Sequence, residues 1–371
     1  MSGEPELFEY SESLGRVVRT GSWEDQSVGT YSKLLECIST ESIDDASEYA
    51  RFFVQEAKVI HSLHTRLIPD LTDFLLQGGL SEESVASIEG RIEPLLVLPD
   101  GRPFDRDAML AEVEERGTAL VGAIEASDWH RAEALAAELK ETWRRLKDRD
   151  GDHAYGLIDA VVVNLGEDKL GAMWDSVIRP LFDWRYAKFD VAVQPWEDSL
   201  DQLMMVACES MRAHLVGVDR TGDFELREYE DRYVLRFDPC GSGGRFVRGD
   251  TIEGTPSRME PPYNWSVSKE PHTWNHGKVG ICHYCTHCIT LMEEMPIDRF
   301  GYPVRVVDPP IYPDNDPTSR QFCQWQMFKS PEAVPVEYYE RVGRSKPASM
   351  GSASGIAPPK NPATDGFLGN G

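Results

Sequence analysis

Three cysteines and two histidines fall within seven residues of this chain, Cys282-His-Tyr-Cys-Thr-His-Cys288. A Cys-x-x-Cys pair lets two thiolates reach one ion from a single tight turn, and here two such pairs overlap. A fourth cysteine, Cys240, lies upstream in Phe237-Asp-Pro-Cys-Gly-Ser-Gly-Gly-Arg245. Glycine beside it removes side-chain bulk and lets the backbone wrap close to an ion while its N–H groups face the sulfurs. The expected metal ligands are Cys240, Cys282, Cys285 and Cys288. Cys285 and Cys288 are the firmest of these. Cys282 is the one most readily spared, with Cys323 or a histidine competing for the remaining position.

Zinc is the first choice of metal, because it accepts thiolate and imidazole together and needs no redox chemistry. An iron–sulfur cluster is the second, since three cysteines at this spacing plus a remote one can hold one. A third reading makes Cys240 a nucleophile beside an anion-binding Gly-Ser-Gly-Gly nest. His272 and His276 lie a few residues before the cluster. They are the candidate catalytic acid–base groups beside a metal-bound water if zinc keeps an open position, and otherwise donors to the ligands. Arg245 and Arg248 are candidates for binding a substrate carboxylate or phosphate, with pairing to nearby acidic residues as the alternative. The glycine-rich loop carries neither the dinucleotide fingerprint nor the P-loop lysine, and no helix is expected after it.

These residues need elements to hold them. From Tyr31 to about Leu215 the apolar spacing is helical. Ala50, Phe53, Val54, Ala57 and Ile60 share one face with His61 and His64. A second helix is expected from Asp128, as N-cap, to about Leu146, and a third from Asp198 to Leu215. Two copies of a helical hairpin unit are suggested by Ile92-Glu-Pro-Leu-Leu96 and Ile178-Arg-Pro-Leu-Phe182, each preceded by an acidic turn and a long helix. The pattern predicts a duplicated helical bundle. No Glu-x-x-His pair suitable for a bundle di-metal site occurs. Cys37 and Cys208 fall on apolar stripes and read as inert core thiols.

After Gly217 the texture changes. Residues 223–237 alternate around Glu230-Asp231 and predict an antiparallel hairpin, and a further strand is expected at Tyr302–Val307. Proline is dense from Pro256 to Pro317, so ordered loops must make up much of this half. Loops over a thin core need fastening, which is an independent reason to expect a metal. A short final helix is expected within Pro331–Val342, and Lys346–Gly371 reads as a disordered tail.

Composition bounds the function. The 371 residues hold 63 acidic and 38 basic side chains, for a formal charge of −25. That balance disfavours nucleic acid and anionic membrane as partners and leaves a small-molecule ligand or a protein. The N-terminal residues lack the apolar core of a signal peptide, and no apolar run nears the ~20 residues of a membrane span. A cytoplasmic location is the expectation. Seven cysteines, an odd number and clustered, point away from a disulfide framework.

Together, Asp238-Pro-Cys-Gly-Ser-Gly-Gly-Arg245 and Tyr284-Cys-Thr-His-Cys288 resemble a group of uncharacterised bacterial proteins, in which a helical N-terminal half precedes a cysteine-bearing C-terminal half. The resemblance spans most of the chain to about Pro347 and brings no activity with it.

The expected architecture is mainly helical α+β. It comprises a polar lead-in (1–27), a duplicated helical bundle (28–216), an irregular α+β metal-binding region (217–345) and a tail (346–371). The expected function is a zinc-dependent small-molecule enzyme of hydrolase or lyase type. The alternatives are a zinc-stabilised interaction protein and an iron–sulfur redox protein. Oligomeric state is left open.

Overall fold

The computed structural model describes residues 6–314 and 322–351. The stretch expected as a loose lead-in carries a hairpin, β1 (Phe8–Ser11) with β2 (Arg16–Arg19), and a capped helical turn, α1 (Trp23–Ser27). Seven helices follow: α2 (Thr30–Ser39), α3 (Ile43–Gln77), α4 (Glu82–Ile92), α5 (Arg106–Glu125), α6 (Trp129–Leu165), α7 (Leu170–Arg185) and α8 (Trp196–Ala213). Their starts follow from local chemistry. Ser81, Asp105 and Asp128 each accept a hydrogen bond from a backbone N–H of the first turn, as N-caps do. The long helices α3 and α6 hold the centre, and α5 and α8 pack against them.

The second half contains β3 (Glu225–Glu228), β4 (Arg232–Arg236), α9 (Gly243–Arg248), α10 (Thr286–Ile289), α11 (Met295–Phe300), β5 (Val306–Asp308), β6 (Gln324–Phe328) and α12 (Glu337–Glu340). A π-helical turn, Thr290–Glu294, joins α10 to α11. The four strands form one antiparallel sheet in the order β3-β4-β6-β5. The hairpin lies where alternation places it, whereas the strand expected over 302–307 is confined to 306–308. A six-residue helix, α9, follows the glycine loop, where none was expected. Of the expected tail, Lys346–Gly351 is described and 352–371 lies outside the described residues.

The change of texture at residue 217 is a change of secondary structure, and the largest apolar core crosses it. Leu157, Trp174 and Met204 belong to the same buried cluster as Phe237, Ile281 and Trp325. A second cluster gathers α2, α5 and the first halves of α3 and α6. No helix among the described residues is long and apolar enough to cross a membrane.

Helix α6 runs nineteen residues beyond the end its apolar stripe suggests at Leu146. The charge-rich run Arg144-Arg-Leu-Lys-Asp-Arg-Asp-Gly-Asp-His153 straddles that point. Most of it is buried, because its charges are paired. Asp148, fully buried, accepts from Arg144 at 3.1 Å, Lys147 at 3.1 Å and Arg220 at 2.7 Å. Asp152 accepts from Arg245 at 2.7 Å and Arg258 at 2.8 Å. Arg149 reaches Glu253 at 2.7 Å. Arg220, Arg245, Glu253 and Arg258 all come from the loop-rich half. Buried ion pairs therefore supply much of the fastening that this half needs. The arginine forks satisfy both carboxylate oxygens, which is what makes so many buried charges tolerable.

Candidate functional site

Cys240, Cys285, Cys288 and Cys323 line a single cavity of about 170 Å³. Each arrives by a different piece of local logic. Cys240 follows β4 and Cys323 precedes β6. These strands are antiparallel neighbours with Arg236 opposite Gln324, so the two cysteines meet at one end of the sheet. Side chains alternate along strands. Leu235, Trp325 and Val307 are cross-strand partners. Phe237, Cys323 and Arg305, each two residues from a member of that row, continue its face and line the cavity with Trp325 and Val307. Cys285 and Cys288 stand three apart where α10 begins, on one helical face continued by Leu291 and Met292. The π-helical turn directly after them is an element often found at functional sites.

Three helices close the other side. Leu63, His64 and Leu67 of α3, Trp174, Val177, Ile178 and Arg185 of α7, and Val206 and Met211 of α8 line it, with His214 just past the end of α8. The cavity thus forms where the helical half meets the cysteine-bearing half. Its wall is mostly apolar, with thiols, imidazoles, the phenols of Tyr186 and Tyr284, arginines and one carboxylate, Asp70, which pairs with Arg66 at 3.7 Å, set into it.

The glycine loop is shaped by close approach. A methyl group on Gly243 would collide with Cys285 Sγ and stand 3.9 Å from Cys240 Sγ. One on Gly241 would collide with the His214 carbonyl, and one on Gly244 would sit 3.0 Å from Pro239 Cα. Only glycine at 243 leaves the two sulfurs facing one another across open space. Lys147 donates to the Gly241 carbonyl, which ties the loop to the charge network of α6.

The thiols are not alike. Cys240 Sγ accepts from the Gly244 N–H at 3.0 Å. The Cys323 thiol and backbone N–H groups donating to it draw the Cys240 pKa down, and the Cys323 thiol is correspondingly pushed up. Cys240 is thus the member of that pair whose sulfur also accepts a backbone N–H. Burial pushes Cys288 up, and its thiol lies 3.3 Å from His287 Nε2. Cys282 stands behind Cys285, off the cavity wall. Burial pushes its thiol up, but the neighbouring Cys285 thiol, the Tyr155 hydroxyl and backbone N–H groups outweigh that effect; the Tyr155 hydroxyl itself donates to the Ser266 carbonyl at 2.8 Å. Among the described residues, no three His, Cys, Asp or Glu side chains converge closely enough to hold a metal ion. The sulfurs instead surround the cavity, with short contacts within Cys240/Cys323 and Cys282/Cys285.

The expected acid–base histidines lie elsewhere. His272 stacks on Trp274 and sits 3.4 Å from Glu167. His276 is buried against Glu293 at 3.1 Å, which Arg341 also holds. Neither lines the cavity. Arg245 is spent internally on Asp148 and Asp152, and Arg248 is held by Asp238 and Asp314. The imidazoles on the cavity are His64, His214 and His287. Tyr284 donates its hydroxyl to His64 Nε2 at 3.0 Å, and His64 Nδ1 is 3.2 Å from the Ile60 carbonyl. His214 Nδ1 lies 2.6 Å from the Ser210 carbonyl. His287 was signalled by its place inside the cysteine motif and His64 by the helical periodicity of the Ala50–Ile60 face, whereas His214 carried no sequence signal.

Burial lowers the His214 pKa from 6.5 to about 3 and lowers that of His64 as well. In the unfolded chain both titrate near their ordinary value. Between that value and the folded one, the unfolded state carries protons that the native state lacks. Stability therefore falls as pH drops through this window and is fully present above it. The urea midpoint is expected to decline steadily from pH 7 to pH 4, and His214→Gln is expected to flatten that decline. An unchanged slope in the variant would show that His214 is not a buried neutral imidazole.

Comparison of the chain with protein-family models, curated proteins and solved structures gives no match, so the resemblance noted above rests on its two cysteine motifs alone.

Proposed function

We propose that this cavity is a small-molecule site built around a cysteine-ligated metal centre, with zinc as the metal and hydrolysis or elimination as the reaction class. The observation that carries this reading is the delivery of four cysteines, from three separate chain segments, onto one otherwise apolar cavity. Structural stability alone does not require an empty space between thiols. Cys240, Cys285 and Cys288 are the ligands in this reading, and Cys323 donates its S–H to the Cys240 thiolate. Three protein ligands leave a fourth position facing the cavity, which is the pattern of catalytic rather than structural zinc. When bound, zinc polarises a substrate oxygen or acidifies a water. Closing on one ion requires the sulfurs to move inward from the positions described. Cys282 stays outside the set, off the cavity wall. The Tyr284 hydroxyl, bonded to His64 at 3.0 Å, is a protic group on the same cavity.

A second reading is favoured by the spread of the sulfurs. A cluster with its own sulfide spans more space than one ion, and all four cavity cysteines would then ligate it. The duplicated-bundle arrangement belongs with these proposals. Each long helix, α3 and α6, is followed by a shorter helical segment carrying an x-Pro-Leu sequence.

Metal analysis and the visible spectrum of protein purified without oxygen decide between these readings. About one equivalent of zinc and a colourless solution are expected. A brown protein containing iron and sulfide would replace zinc with the cluster, and protein free of both metals would remove the metal reading.

A further inference from the structure

The chain is strongly acidic, and its buried arginines are paired accordingly. Arg144, Arg149, Arg212, Arg220, Arg245 and Arg258 each contact a carboxylate. Arg19 instead donates to the backbone carbonyls of Val28 and Asp25. Arg305 does neither. It is 3% exposed, lines the cavity, and makes no ion pair among the described residues. Its Nε and Nη2 have no hydrogen-bond acceptor among the described residues. Its remaining neighbours are the Met292 sulfur at 3.9 Å from Nη1 and the Trp325 ring at 4.8 Å. The buried Trp325 indole N–H, on the same wall, also lacks an acceptor. A buried guanidinium without an anion is costly, and natural interiors seldom leave one. Arg185, on the opposite wall, is a second cavity arginine that makes no ion pair among the described residues, within electrostatic reach of Arg305, Arg16 and the Glu209 carboxylate.

We propose that the cavity binds an organic monoanion, a carboxylic acid with a compact apolar body, whose carboxylate is taken by Arg305 with Arg185 as a supporting charge. Two N–H groups of one guanidinium match the two oxygens of a carboxylate. Trp174, Val177, Ile178 and Met211 provide the apolar wall for the rest of the molecule. A cavity of about 150 Å³ admits a benzene ring, so the volume here suits an acid of one-ring size. The proposal rests on reading the cavity as a ligand site and does not require the metal. Its rival is internal: Arg305 lies within electrostatic reach of Cys288 and could instead offset the charge of a thiolate centre.

Isothermal titration of the protein as purified, with benzoate and with the neutral isostere benzamide, tests this. Benzoate is expected to bind at least tenfold more tightly than benzamide. Arg305→Gln should erase that preference while metal content and thermal midpoint stay unchanged, and Arg185→Gln should reduce it in the same direction. If Arg305→Gln does not fold, Arg185→Gln carries the test. Equal binding of the two probes, or no binding of either benzoate or phenylacetate, would overturn the proposal. Loss of metal from Arg305→Gln with the benzoate preference intact would also overturn it, by making Arg305 the counter-charge of the thiolates. Protein without metal that still prefers benzoate through Arg305 would uphold this inference and sink the metal reading.

Discussion

Replacing Asp148 with asparagine is expected to lower the free energy of unfolding by about 3–5 kcal/mol, the usual cost of removing one partner from a buried ion pair. Asp148 is fully buried in the middle of α6. Arg144, Lys147 and Arg220 lie within 3.1 Å of its oxygens, and Arg245 Nε is at 3.5 Å. Burial opposes its charge, yet Arg220, Arg245 and Lys147 hold its pKa well below the ordinary carboxylate range. An amide in its place leaves those cations short of one negative charge in a medium that solvates them poorly. The effect should reach the cavity, because Lys147 also holds the Gly241 carbonyl and Arg245 belongs to the helix after the Cys240 loop. Urea unfolding of the variant measures the loss at pH 7. The sign with pH is fixed. A carboxylate with a depressed folded pKa contributes stability above its unfolded value and loses it as pH falls through the folded one. The gap between wild type and variant should therefore narrow in strong acid. A variant within about 1 kcal/mol of wild type, the range typical of exposed pairs, would mean that the network is solvated.

The second large effect concerns the cysteines. Cys285→Ser is expected to reduce bound metal from about one equivalent to less than a tenth. Cys285 faces Cys240 across Gly243, and a hydroxyl is a much poorer ligand for zinc or a cluster than a thiolate. Cys282→Ser is expected to retain metal, since Cys282 stands off the cavity beside Tyr155. Cys323→Ser separates the two proposed centres. A serine hydroxyl can still donate to the Cys240 thiolate, so a zinc site should persist, whereas a four-cysteine cluster should be lost. Metal analysis of the three variants beside wild type reads all of this. Equal loss in Cys282→Ser and Cys285→Ser would restore Cys282 to the ligand set.

Much of the frame was legible in the residues. The apolar stripes of α3, α6 and α8 and the alternation around Glu230-Asp231 predict elements that form, although α6 continues to Leu165, past its expected end at Leu146. The glycines beside Cys240 were legible as a close-approach loop, and the collisions at Gly241 and Gly243 show why. Two things stayed hidden. The charge run from Arg144 to His153 straddles the expected helix end at Leu146, and a local pattern cannot show that Arg220, Arg245 and Arg258 return to pair with it. His287 lies within the cysteine motif, but the place of His64 and His214 on the cavity was missed for a similar reason. His272 and His276 are near the cysteines in sequence, whereas His64 and His214 approach them only through packing of α3 and α8. Proximity along the chain proved a poor guide to proximity in space. Arg305 carried no signal at all, since its interest lies in the absence of a partner.

The central claim is that the cavity cysteines ligate a metal. X-ray absorption at the metal edge of the purified wild-type protein tests it most directly. The account predicts a zinc edge with three sulfur neighbours at about 2.3 Å and one lighter atom in the open position. A first shell of oxygen and nitrogen alone, or no metal to measure, would contradict it.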